Sequence, residues 1–145
     1  MSKQVDTSVL LRCTYTNIRR VDRAVARFYD EALAPCGIST AQFALLATLI
    51  EVHPVTINRL AAITIVDRTT LTRNLALLTR KHLVRCEEGT DRRERLVHLT
   101  EEGEQMFYAT LPSWQQAQTQ IEQAFGLERF EALLAELAKI MDLVL

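Results

Sequence analysis

Hydrogen-bond donors crowd two short stretches of this 145-residue chain. Arg68, Thr69, Thr72, Arg73 and Arg80 recur at spacings that place them on one side of a helix, away from a stripe of Leu71, Leu75 and Leu78. Further on, Arg92 and Arg93 stand beside Gly89 and Asp91 between two alternating segments, Leu83 to Glu87 and Arg95 to Leu99, a pattern that reads as a basic hairpin. A helix of this width fits the major groove of B-DNA, and an arginine-tipped hairpin beside it reaches phosphates or the adjoining minor groove. The chemistry on offer is hydrogen bonding and charge, not bond making.

Other chemistries find little support. His53, His82 and His98 lack metal-ligand spacing and are expected at a helix end, a helix exit and a wing-strand surface. No Ser-His-Asp set or carboxylate pair can be assembled, so neither an enzyme nor a cofactor is expected. Cys13, Cys36 and Cys86 are odd in number, far apart and outside any C-x-x-C pair, so free thiols are expected. Cys36 is expected to be exposed in a turn, and Cys86 to lie on the packed side of the hairpin. Trp114, Tyr15, Phe28 and Phe43 are read as core and interface residues that could also line a ligand cleft.

The net charge of -1 conceals a polarised distribution. Residues 56 to 99 hold nine Lys or Arg against five Asp or Glu, and the remainder holds eight against thirteen. A basic middle within an acidic whole fits a local electrostatic footprint. At 48% hydrophobic and 24% charged, the composition is that of a globular domain. No apolar run approaches a membrane span, and the opening MSKQVDTSVLLRC lacks the pattern of a signal peptide, so a cytoplasmic location is expected.

The surrounding elements follow from periodicity and punctuation. A long helix is expected from about Thr7 to Ala34, with Ile18, Val21, Val25, Phe28 and Ala32 on one side and Arg19, Arg20, Arg23 and Arg27 interleaved, ending at Pro35 and Gly37. Ser39 or Thr40 caps a second helix that ends near His53 and Pro54, and Thr56 caps a short third. Thr64 to Val66 forms the turn before the helix that begins at Asp67, giving a helix-turn-helix that the hairpin makes winged. Thr100 caps a helix with Glu101, Glu102 and Glu104 in its first turn, running to about Ala124 with a kink or break near Leu111, because Pro112 lies inside it. A last helix after Gly126 carries Phe130, Leu133, Leu134, Leu137, Ile140, Met141 and Val144, a stripe too broad for one intrachain partner. The expected fold is mainly α with a small β-hairpin. Residues 39–100 form a winged helix-turn-helix region on a helical dimerisation base of residues 1–38 and 101–145.

Residues 57 to 103 resemble the multiple antibiotic resistance regulator (MarR) family. The resemblance is most specific at DRRERLVHLTEEG, where Asp91, Arg93, Leu99, Thr100 and Gly103 match the family's wing and following helix, and it extends over GISTAQFALLATL and the two terminal helices. It implies a homodimer on a pseudo-palindromic operator, usually a repressor released by a small ligand or by oxidation. Carried over, it makes Arg68, Thr69, Thr70, Thr72 and Arg73 groove contacts, has Asp91 orient the wing, sends Arg93 into the minor groove, and leaves Arg92 and Arg95 as phosphate or tip-supporting groups. His82 departs from the family's usual glycine, and a different helix exit is expected there.

The resemblance also frames the switch. A cleft bounded by Tyr15 and Arg19 on the first helix, Phe43 on the second and the early turns of the Thr100 helix suits an aromatic acid, with Arg19 as counter-charge. A redox input instead needs Cys13 or Cys36. An oxidation-sensing branch of the family carries a reactive cysteine on its first helix, but matching that branch's tyrosine and arginine to Tyr15 and Arg19 puts Leu11 at the reactive position. A winged-helix module that docks an acidic protein remains a further alternative.

Overall fold

A computed structural model describes residues 7–145, so residues 1–6 of the expected dimerisation region lie outside the described residues. The first helix is shorter than expected. Thr7–Arg12 winds as a tighter 3-10 turn, and α1 spans Thr14–Leu33 after Cys13 adopts an extended conformation at its N-terminus. A second 3-10 turn, Ala34–Cys36, ends at Gly37, whose φ of 77° is the left-handed geometry that glycine adopts without penalty.

Ser39 starts α2, Thr40–Val52. Its hydroxyl accepts from the Gln42 N–H while the Gln42 side chain accepts from the Ser39 N–H, a reciprocal cap that satisfies two otherwise orphaned donors. Thr56 caps α3, Ile57–Thr64, and Asp67 caps α4, Arg68–Arg80. The hairpin consists of β2, Val84–Glu88, and β3, Arg95–Leu99. A strand not expected from the sequence, β1 at Val55–Thr56, pairs antiparallel with β3 through Val97 and Leu96, so the wing becomes a three-stranded sheet in the order β1-β3-β2. A two-residue strand leaves no period to detect.

Thr100 caps α5, which runs through Pro112 as one 25-residue helix, Glu101–Phe125. Of the kink or break expected near Leu111, the break does not occur. α6 covers Leu127–Val144. The core is built mainly from α2 to α4 and the sheet, with Leu33, Leu46, Leu49, Leu60, Leu71, Leu78 and Val97 at or near zero exposure. Full burial stabilises each such side chain by roughly 1.5–3 kcal/mol. α1 and α2 both pack on α5, and Tyr29 of α1 donates its hydroxyl to Gln118 of α5.

The chain leaves α4 through His82, whose φ of 59° is left-handed. The different exit expected for a histidine here is therefore not seen. The segment takes the conformation that favours glycine, and the Leu83 N–H still bonds to the Leu78 carbonyl at 2.9 Å. Close packing finishes the join. A Cβ at Gly103 would lie 2.0 Å from the Leu83 carbonyl oxygen, so only glycine lets the first turn of α5 approach the base of the wing.

Candidate nucleic-acid interface

The N-terminus of α4 is tightly fixed. The Asp67 carboxylate accepts from the Thr70 N–H at 2.9 Å and from the Thr70 hydroxyl at 2.6 Å, bonds that hold its pKa below the usual aspartate range. Leu71, Leu75 and Leu78 are buried, and that orientation turns Thr69, Thr72, Arg73 and Arg80 to solvent. Thr70 does not join them. Its hydroxyl is engaged by Asp67, and it lines a recess against α2 with Leu45 and Leu71, so it supports the helix start rather than the outward face.

The wing is organised by Asp91, whose carboxylate accepts from the Arg93 N–H at 3.0 Å while its carbonyl accepts from the Glu94 N–H at 2.8 Å. These two bonds fix the backbone of the wing tip. The Gly89 N–H closes the loop on the Glu94 carbonyl at 2.8 Å, and Arg92 and Arg93 remain exposed.

Three elements bring their arginines together. Arg68 from the first position of α4, Arg93 from the wing tip and Arg95 from β3 line a small recess together with Thr56, Asn58 and Glu94. Arg95 also borders a groove of about 590 Å³ between α4 and the wing, lined further by Thr72, Ala76, Arg80 and Cys86. The sequence places Arg80 on the outward face of the helix but does not bring Asn58 to the site. Arg80 lies two helical turns beyond Arg73 on the same side, a spacing legible in the sequence, whereas Asn58 enters only through the folding of α3 against the wing.

The remaining candidates lie elsewhere. Phe43 is 5% exposed and stacks on Phe107 and Trp114 at ring separations of 5.2 and 6.1 Å, so it belongs to the core and offers no cleft wall. Tyr15 is 73% exposed, and Arg19 is paired with Asp22 at 2.9 Å. The expected single-chain cleft of Tyr15, Arg19 and Phe43 is therefore not assembled. Cys36 is half-buried, not exposed, with Sγ 3.6 Å from the Ser113 hydroxyl. Cys86 packs partly against the core, as expected. The Cys13 thiol is lowered below the ordinary cysteine pKa by a hydrogen bond with the Thr16 side chain. The length of α1, about 30 Å for twenty residues, separates it from Cys36. Among the described residues, no three His, Cys, Asp or Glu side chains are grouped to hold a metal ion. No single helix among them is long and apolar enough to cross a membrane.

Helix, turn, outward-facing basic helix and arginine-tipped sheet define a winged helix-turn-helix regulator. The MarR family model matches residues 37–94. M. tuberculosis transcriptional regulator MosR, in a crystal structure in complex with DNA, is 34% identical, with a TM-score of 0.74 over 89% of this chain and 98% of that one. The chain belongs to the MarR family, whose members are transcriptional regulators and not enzymes. The uncharacterized HTH-type transcriptional regulator YwoH of Bacillus subtilis is 31% identical over 90 residues, and that match spans 62% of this chain and 66% of YwoH, just under two thirds of its length. A mutant E. coli MarR complexed with operator DNA shares the fold, with a TM-score of 0.82 at 24% identity over 95% of this chain and 99% of that one.

Proposed function

We propose that this chain binds double-stranded DNA as a homodimer, with α4 in the major groove and the wing on the flanking backbone and minor groove. The observation that carries this reading is the convergence of Arg68, Arg93 and Arg95 beside the exposed Thr69, Thr72 and Arg73. The MosR structure with DNA, from a relative 34% identical, supports it. Arg73 and Thr72 read base edges, Arg93 reads groove width and charge, and Arg92 and Arg95 bind phosphate.

The helical base supports the dimer. Ile18, Val21 and Val25 of α1 and Leu133, Leu134 and Leu137 of α6 border an open apolar groove of about 790 Å³, with Leu137 40% and Val21 60% exposed. A second copy is the simplest cover for so much apolar surface. Two α4 helices about 34 Å apart then meet successive major grooves, and a dimer lying across an operator blocks other proteins from it, which is the physical basis for reading it as a repressor.

Selection of bound duplexes from random sequence, followed by binding titrations over a range of salt, tests the reading. A pseudo-palindromic site and a steep loss of affinity with salt are expected. Salt-insensitive binding without sequence preference would point instead to an acidic protein partner. A thiol-based release is the second reading, favoured by the lowered Cys13 thiol. Release by peroxide that Cys13→Ser abolishes would establish it.

A further inference from the structure

We propose that Lys81 is a positioning residue for DNA binding: its ammonium group ties the C-terminal end of α4 to the Gly37 carbonyl and so fixes the angle of α4 against the helical base. Lys81 Nζ donates to that carbonyl at 2.5 Å, across 44 positions of the chain. The proposal rests on α4 being the DNA-reading helix of a dimer.

Local chemistry accounts for a lysine at this place. Lys81 ends α4, where the unsatisfied carbonyls of the last turn carry partial negative charge and favour a cation. It follows Arg80 by about 100° around the helix axis, which turns it away from the wing groove that Arg80 lines. Its side chain crosses instead to Gly37, which closes the Ala34–Cys36 turn in left-handed geometry. Nothing lies within 4 Å of the point where a Cβ on Gly37 would stand, so a long side chain reaches the carbonyl unobstructed. A hydrogen bond with one ionised partner is stronger than a neutral one.

The location of the acceptor gives the bond its role. Gly37 lies at the joint between the helical base and the winged region, and the base grips that joint from the other side. The Gly37 N–H donates to the Ala34 carbonyl at 3.0 Å, and the Asp30 carboxylate of α1 accepts from the Thr40 N–H at 2.7 Å. α4 packs mainly on α2, α3 and β2, all within the winged region, whereas Lys81 carries it to the joint itself. One α4 alone meets a major groove whatever its angle to the base. Two joined copies meet successive grooves, about 34 Å apart, only if that angle is set in both. Lys81 therefore acts on two half-sites taken together and not on a single groove.

Binding titrations on the full chain compare two duplexes: one carrying the site recovered by selection from random sequence, the other with a single base pair added between its half-sites. The insertion moves the second half-site by about 3.4 Å and turns it by about 35°. It is expected to weaken the wild type by at least about tenfold. Lys81→Met keeps the length of the side chain and removes its charge and donors. It is expected to weaken the unaltered site by about fivefold and to cut the insertion penalty by about half or more. Lys81→Arg keeps a cationic donor and is expected to stay within about twofold of the wild type on both duplexes. Lys81→Gln replaces Lys81→Met should the latter fail to fold. The salt slope of Lys81→Met is expected to equal that of the wild type, because a lost phosphate contact would lower it by about one.

An unchanged insertion penalty in Lys81→Met, or equal losses in Lys81→Met and Lys81→Arg, overturns the proposal. A salt slope lowered by about one also overturns it, and makes Lys81 a phosphate contact. The bond itself is read without DNA, as an NMR scalar coupling between the labelled Lys81 ammonium nitrogen and the Gly37 carbonyl carbon. That coupling is expected in the wild type, and its absence at a temperature where the Lys81 ammonium signal is resolved overturns the proposal. If the coupling is present but Arg73→Ala leaves DNA binding unchanged, the reading of α4 as the DNA-binding helix fails while the tie to Gly37 stands.

Discussion

The Thr100 hydroxyl donates to the His82 carbonyl at 2.7 Å while accepting from the Gly103 N–H at 3.0 Å, so one side chain caps α5 and ties it to the exit from α4. Thr100→Val removes both bonds with little change in shape. It is expected to lower unfolding free energy by about 1–2 kcal/mol in denaturant titrations, and Thr100→Ser to recover most of the loss.

His82 and Ile65 hold left-handed backbone at the two ends of α4, where an L side chain costs about 1–2 kcal/mol. His82→Gly relieves that cost but gives the unfolded chain more freedom, which offsets part of it. A net gain of about 0.5–1 kcal/mol is expected for His82→Gly, and a gain at least as large for β-branched Ile65→Gly, each read as a rise in Tm. Destabilisation by both would show that side-chain contacts, not backbone geometry, dominate at these sites.

Arg73→Ala and Arg93→Ala should weaken DNA binding by different routes. Loss of a reading-helix arginine costs about 1–3 kcal/mol and relaxes preference at one base position. Loss of the wing arginine lowers affinity fairly evenly across related sites. Site-selection profiles of the two variants separate these outcomes, and wild-type affinity and preference in both would remove α4 and the wing from the interface.

Leu137→Glu places a charge in the open groove between α1 and α6. Monomers or insoluble protein are expected. A wild-type chain that sediments as a folded monomer at micromolar concentration would refute the dimer.

The Asp67 cap should make the start of α4 sensitive to acid. Its folded pKa is depressed by Thr70, so the stabilisation is complete above the ordinary aspartate range and is lost as pH falls through the lower folded value. Asp67→Asn retains a capping acceptor that does not titrate. Exchange of the Thr70 amide hydrogen should accelerate in acid, beyond the intrinsic rate, in the wild type and not in Asp67→Asn.

Caps and turns were the most legible features of the sequence. Ser39, Thr56, Asp67 and Thr100 each begin a helix at the expected position, because capping is chemistry between near neighbours. The outward placement of Thr69, Thr72 and Arg73 followed from the Leu71, Leu75 and Leu78 stripe for the same reason. What depended on distant contacts was less accessible. β1 exists only because β3 lies beside it, and Phe43 is buried only because Phe107 and Trp114 arrive from α5. Local pattern could not distinguish an aromatic ring in a stack from one on a cleft wall. Thr70 shows a finer limit, since its position on the helix permits either direction and the bond to Asp67 decides between them.

The continuity of α5 has a mechanical meaning. At 1.5 Å per residue, its 25 residues form a rod about 37 Å long. One end is fastened to the wing through Thr100 and Gly103, and the other borders the α1–α6 groove through Gln118 and Ile121. Had Pro112 broken it, a displacement at the base would dissipate in a flexible joint. As a single rod, a tilt of about five degrees at the base swings the wing end through roughly 3 Å, the length of a hydrogen bond. The arginines at the wing therefore lie at the far end of a lever whose fulcrum is in the helical base.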